Sequence, residues 1–448
     1  MGLMNIAAPS SSIADLLRHP QRWLVIAIGI FSVIASPRGM LLDLNDLPGV
    51  PLEFHAITVS LAELLLLAAL MLTALRLALS GAYRVQIVDT LRLLARPGWL
   101  LAWIGLLLWM ALSAFWALQP TMTRFVTLHA IGAVMLAILV ADVVRNEGEQ
   151  GLLVGLLLSG VIQTGIAVAQ ALNSNPLGLE ALGEIPRFPY DTAAYYRAPG
   201  LAQHPNYLGG YLMLAIFAAL LLFRYRQQGA QRRALIAGLV LGACGVGLIA
   251  TLSRSAIVGT AVGTLPTLIW LLRLAAPRTR RLIISGALAV SVIGAGLALV
   301  ATRGDIVSRF FMGREFFFDW SWAEIQASPV IGAGAGNLMF AISERGVNER
   351  DVLPVHNVYL YVWGETGLIG IVLFVLGCGS VLGVISQRPE RLIWGGALLG
   401  VCVTMLFDNY WWAILPYRVL FFWVIGSWWG LLSAEPAATI TTSGENKG

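Results

Sequence analysis

The chain alternates long apolar runs with short polar breaks almost from end to end. Runs near residues 22–36, 56–77, 99–117, 124–142, 151–171, 205–223, 234–252, 255–272, 282–301, 357–384, 392–407 and 418–433 each approach the length of about 20 residues that carries a helix across a bilayer. The pattern predicts an all-α polytopic membrane protein of about twelve transmembrane helices, forming a single integral domain over residues 1–448. The run WLVIAIGIFSVIAS has no small-x-small cleavage pattern, so the first span is expected to stay uncleaved. The tail SAEPAATITTSGENKG is small and polar, and residues 434–448 are expected to be a disordered cytoplasmic tail.

Two polar breaks are much longer than the others, at 173–203 and 302–355. Loops of that length in a compact protein tend to carry function. The aromatic spacing of GREFFFDWSWAEIQAS makes the second partly helical, lying on the membrane surface or capping the bundle.

Composition supports this class. Charged residues are 12% of the chain against about 25% in soluble domains, and hydrophobic residues are 58%. Lys447 is the sole lysine among 29 basic residues. Most arginines flank the apolar runs, so they report orientation rather than nucleic acid. The basic segments RLALSGAYRVQIVDTLRLLARPG, RYRQQGAQRR and RLAAPRTRR follow the second, sixth and eighth runs. Short basic loops stay cytoplasmic, which puts both termini inside and the two long breaks outside, as in an inner-membrane-type protein. Cys244, Cys378 and Cys402 fall inside apolar runs and read as small core residues.

Several arginines break the orientation rule. Arg187, Arg197, Arg254, Arg303, Arg309, Arg314, Arg345, Arg350 and Arg418 all fall on the outer side. One such residue reads as a snorkelling anchor, but many on the disfavoured side point to an anionic ligand, and the planar guanidinium fork suits phosphate. Arg254 stands in TLSRSAIVG, a tight turn between two runs. The stretch YRAPGLAQHPNYLGGYL gathers Tyr196, Arg197, His204 and Asn206 at the mouth of the sixth run. There His204 either bonds the local backbone at a helix start or meets substrate.

His356 and Asn357 stand at the mouth of the tenth run, in VLPVHNVYLYVWGETGLIG. Histidine suits general-base work because its ordinary pKa lies near neutrality. On a straight helix Trp363, Gly367 and Gly370 fall within about 40° of the His356 direction. Glu365 then faces away and lies roughly 13 Å deeper, as a structural partner for a polar group elsewhere. Glu63 and Glu365 are the clearest ionisable groups inside the runs. No Asp-x-Asp pair or His/Asp/Glu spacing implies a metal or another cofactor. GAGAGN at 332–337 lacks a preceding strand and the lysine of a phosphate loop, and reads as a tight turn.

His356-Asn357, nine residues, Gly367, two residues and Gly370 resemble the H-N-x9-G-x2-G signature of the bacterial O-antigen ligase family. TLSRSA, the segment from Arg314 through Trp322 and Pro329 to GAGAGN, and RAPGLAQHPNYLGGY are similar to the wider ligase and polymerase superfamily. The resemblance spans about residues 190–370. It implies a GT-C-like glycosyltransferase that moves a polysaccharide from undecaprenyl pyrophosphate to lipid A-core in lipopolysaccharide biosynthesis, without a metal or nucleotide sugar. On that footing His356 is the base and Asn357 orients it or the substrate. Arg197 and Arg254 clamp the pyrophosphate with Arg314 as a third cation, and Tyr196, His204 and Asn206 add substrate contacts. The same residues leave open an O-antigen polymerase or a protein O-oligosaccharyltransferase using the same donor. A lipid-linked glycan flippase or transporter is the reading from a different class, and the scarcity of deep ionisable residues disfavours it.

Overall fold

The computed structural model describes residues 17–34, 39–44, 54–186, 196–222, 230–274, 277, 314–345, 353–380 and 388–433. The expected span at 282–301, the tail at 434–448, and Arg187, Arg303, Arg309 and Arg350 lie outside the described residues, as does the side chain of Arg314. The rest is mostly helical. Helix α1 (Arg18–Phe31) is followed by strands β1 (Gly39–Asp43) and β2 (Ala56–Val59), then by α2 (Leu61–Leu79), α3 (Gly81–Ala95) and α4 (Trp99–Leu112). Next come α5 (Pro120–Glu147), α6 (Gln150–Asn173), α7 (Pro205–Leu222), α8 (Ala230–Ala250) and α9 (Arg254–Leu274). Helices α10 (Arg314–Ala327), α11 (Leu338–Glu344), α12 (Val358–Cys378), α13 (Pro389–Thr404), α14 (Tyr410–Ala413) and α15 (Leu415–Ser433) complete the order.

Among the described residues, seven helices are long and apolar enough to cross a membrane, or eight if the bent pair α3 and α4 is one span. Two features differ from the expected pattern. The strands β1 and β2 pair antiparallel, with an irregularity between Met40 and Leu42, so the fold is not purely helical. The segment expected as a basic loop after the second run is instead helix α3, which meets α4 at 92°. Gly98, at φ 81°, stands at that corner.

The bundle closes on α15, whose span is 94% buried. Small residues let it sit against α5. A methyl group added at Gly426 or Gly430 would meet the backbone of Ala137 or the side chain of Val144. Gly259 and Gly263 of α9 face Gly400 and Gly396 of α13 in the same manner. Since 259 opposes 400 and 263 opposes 396, these helices run antiparallel with their backbones in close contact. Without water to drive association, such small-x-x-x-small seams are where membrane helices gain packing.

Helix α12 is broken. Gly367 has φ 67° and ψ −172°, a conformation essentially restricted to glycine. The turn GAGAGN fills the break. Ala333 and Gly334 N–H donate to the carbonyls of Gly364 and Glu365 at 2.9 and 2.8 Å, and Trp109 Nε1 donates to that of Thr366 at 2.7 Å. The N–H of Leu368 finds Pro329 O at 2.9 Å. A broken membrane helix survives only when its freed backbone groups are satisfied in this way. The break also ends the straight-helix stripe predicted from His356 to Gly370. Glu365, buried beside it, accepts from Gly336 N–H at 2.9 Å. Glu63 is not deep in a helix: it is the third residue of α2 and completes a capping box with Ser60, whose N–H donates to it at 2.6 Å.

Candidate functional site

Helix α12 begins at Val358, so His356 lies just outside it and Asn357 is its cap. Asn357 Oδ1 accepts from Leu360 N–H at 3.0 Å, satisfying one of the donors left bare at a helix start. Asn357 Nδ2 donates to Leu406 O at 3.0 Å, and Val358 N–H to Met405 O at 2.8 Å. Asn409 Nδ2 ties back to Val355 O at 3.0 Å. The approach to α12 is thus bonded to the turn at 405–409 that joins α13 to α14.

That turn carries Asp408. One carboxylate oxygen lies 3.5 Å from His356 Nδ1, and the other accepts from Asn206 Nδ2 at 2.5 Å. Asp408 is almost fully buried, whereas the His356 side chain keeps 29% of its surface exposed. Asn206 Oδ1 in turn accepts from Arg197 Nη2, and Arg197 Nε donates to Thr251 O at 3.2 Å. A polar path therefore runs by hydrogen bonds from Arg197 through Asn206 to Asp408, and on to His356 Nδ1 by a 3.5 Å contact that is not a hydrogen bond. Its members come from three separated parts of the chain.

The loop bearing Arg197 is held from α6. Gln163 Oε1 accepts from Leu201 N–H at 2.9 Å. Gln170 both accepts from Gly200 N–H at 2.8 Å and donates to Gly200 O at 3.0 Å. Gln170 also donates to Glu184 at 2.6 Å, and that carboxylate accepts from Leu177 and Leu179 N–H at 2.7 and 2.6 Å. Burial pushes the Glu184 carboxyl upward, but the hydrogen bonds from Leu179, Leu177 and Gln170 prevail and leave it below its ordinary pKa.

The other sequence candidates divide. Arg254 opens α9 three residues after Thr251, so the turn that accepts from Arg197 brings Arg254 into the same neighbourhood. Asn206 stands inside the path just described. His204 Nδ1 accepts from Asn206 N–H at 3.1 Å, the local helix-start role, and its ring neighbours Tyr207. Tyr196 is buried in the apolar core next to Arg197. Arg314 begins α10, whose Phe317 ring lies 5.9 Å from the His356 ring. Two of the arginines expected on the outer side are committed to the protein. Arg418 is buried and donates to Trp412 O at 2.7 Å, and Arg345 pairs with Glu324.

Asp408 was not singled out from sequence. It stands in FDNYW, between two apolar runs, with no motif to mark it. The available signal was an acid-amide pair breaking the last apolar stretch at the end shared with His356.

Chemically, the imidazole presents one nitrogen to a buried carboxylate, which leaves Nε2 for another partner. At least two of Arg197's five N–H donors are spent on the scaffold, so it offers a ligand only one edge. Among the described residues, no three His, Cys, Asp or Glu side chains converge as a metal site. Residues 237–375 match the family described as O-antigen ligase, a segment that includes Arg254, Arg314, His356 and Asn357 but not Arg197, Asn206 or Asp408. No curated protein matches the chain.

Proposed function

We propose that this chain, which belongs to the O-antigen ligase family through residues 237–375, transfers a glycan from undecaprenyl pyrophosphate to lipid A-core at the periplasmic face of the inner membrane. The observation that carries the reading is the path from His356 through Asp408 and Asn206 to Arg197, which couples a base to a cation at one end of the bundle.

In the reaction, the acceptor hydroxyl attacks the anomeric carbon while His356 Nε2 takes its proton. The bond between that carbon and the phosphate oxygen breaks, and the diphosphate leaves with the electron pair. Asp408 stabilises the imidazolium as it forms and fixes the ring with Nδ1 inward. Arg197 and Arg254 hold the departing diphosphate, and their contacts strengthen as its charge grows. Arg197 offers one edge, its other donors being spent on Thr251 and Asn206, and Arg254 adds a second guanidinium. A single displacement of this kind inverts the anomeric centre. Asn357, as helix cap and tie to Leu406, positions His356. The donor supplies its own leaving group, so no step calls for a metal.

The test is transfer in proteoliposomes with donor glycolipid and lipid A-core. The His356→Ala variant should lose roughly 10²–10⁴-fold in kcat, the range for removing a general base. Near-normal turnover would refute the base. Supplying lipid A-core as the only acceptor separates ligase from polymerase, since a polymerase leaves it unmodified.

A further inference from the structure

A cleft of about 430 Å³ lies between the α4–α5 turn and the helices α10 and α11, lined by Trp116, Glu324, Ser328, Glu344 and Arg345 among others. It is outside the path described above, and its volume is in the range of small-ligand sites. Resting on the transferase reading, we infer that it is a saccharide subsite, which holds a neutral or amine-bearing stretch of the donor glycan at a distance from the bond being broken.

Three observations support this. The first is alignment. Phe317, Ser321, Glu324 and Ser328 recur at helical spacing along one face of α10 and its end. Phe317 stands beside His356, and Glu324 lines the cleft about two turns further on. The cleft therefore lies about two helical turns along α10 from the neighbour of the imidazole, a reach of a few sugar units.

The second is the wall. A tryptophan near a membrane surface commonly faces lipid headgroups. Trp116 instead lines the cleft, and its Nε1 donates to Gly332 O at 3.2 Å, which fixes the ring plane. An indole fixed in a wall that also holds carboxylates can grip a pyranose, with C–H groups on the ring and hydroxyls on the acids.

The third is charge. Among the described lining residues Glu324 and Glu344 stand against Arg345, and Glu324 is already paired with it. This excess of one carboxylate repels phosphate, so the cleft suits neither the diphosphate nor a phosphorylated acceptor.

The probes are a lipid-free oligosaccharide released from the donor by mild acid and the phosphorylated core oligosaccharide released from the acceptor. Saturation-transfer NMR on the detergent-solubilised full chain should show donor oligosaccharide bound. Trp116→Ala should abolish that signal and Trp116→Phe should retain it, since Phe keeps the stacking face and loses only the bond to Gly332. In transfer assays, the ratio of kcat/KM for a long donor to that for a one-repeat donor should fall about tenfold in W116A and recover in W116F. No binding to the wild type, preferential binding of the phosphorylated core, or an unchanged ratio in W116A would each overturn the subsite. Sugar binding lost in W116A from a wild type that transfers nothing would uphold the subsite and remove the transferase reading. Normal transfer with an unchanged ratio would do the reverse.

Discussion

Asp408 touches both His356 and Asn206, so one substitution there bears on two links. Asp408→Asn keeps the shape and removes the charge that stabilises an imidazolium. Its kcat should fall by roughly 10² or more, with KM for the donor little changed. Combined with His356→Ala it should cost nothing further, because side chains that act as a unit are not additive. Independent losses in the double variant would separate Asp408 from the base. Arg254→Lys keeps a charge but loses the planar fork, so turnover should drop while insertion in the membrane is unaffected. Turnover equal to the wild type would reduce Arg254 to an anchor. Glu184 gives a prediction on stability. Its carboxyl is held below the ordinary value, so its contribution is present above that value and lost as pH falls through the lowered one. Glu184→Gln should melt below the wild type at pH 7, and the gap should close as both are taken to acid. A constant gap across pH would assign the effect to packing.

At the scale of elements, the two glycine devices make different predictions. Gly367 holds a backbone conformation that a side chain rarely adopts, and a methyl there would meet the Val330 carbonyl. Gly367→Ala should cost on the order of 1–3 kcal/mol or more, read as a lower Tm in detergent. Gly263→Leu would push α9 off α13 at the Gly396 carbonyl and should also destabilise, whereas a leucine at Gly242, with open space around it, should not. Equal Tm values for these two leucine variants would remove the seam argument. Much of this was legible in the sequence. Apolar runs marked α2, α5, α6, α7, α9, α12 and α15, and His356-Asn357 was recognised at a helix mouth. The break at Gly367 was not, because a glycine inside an apolar run also reads as a packing residue, and only the apposed turn at 332–336 shows that it bends the chain. The corner between α3 and α4 was missed for a related reason: arginines at a helix surface and arginines in a loop look alike in orientation counting. Asp408 was missed because its meaning lies in its partners, Asn206 and His356, which are far from it in sequence.

For the whole molecule, the proposed reading has the donor's leaving group and the cations at the bundle end account for transfer without an external energy source. Transfer in sealed vesicles should persist with EDTA and with the membrane potential collapsed, each within about twofold of the control. A requirement for either would favour a metal-assisted or transport-coupled process. The placement of the carboxylate also bears on biogenesis. Arg197, Asn206 and His356 are all synthesised before Asp408, which arrives in the link leading to the central helix α15. A nascent chain halted short of that link has inserted the cation and the imidazole but lacks the acid that joins them. On the proposed mechanism, such a chain lacks the carboxylate that supports the imidazolium, so transfer reaches its full rate only after the turn at 405–409 is in place.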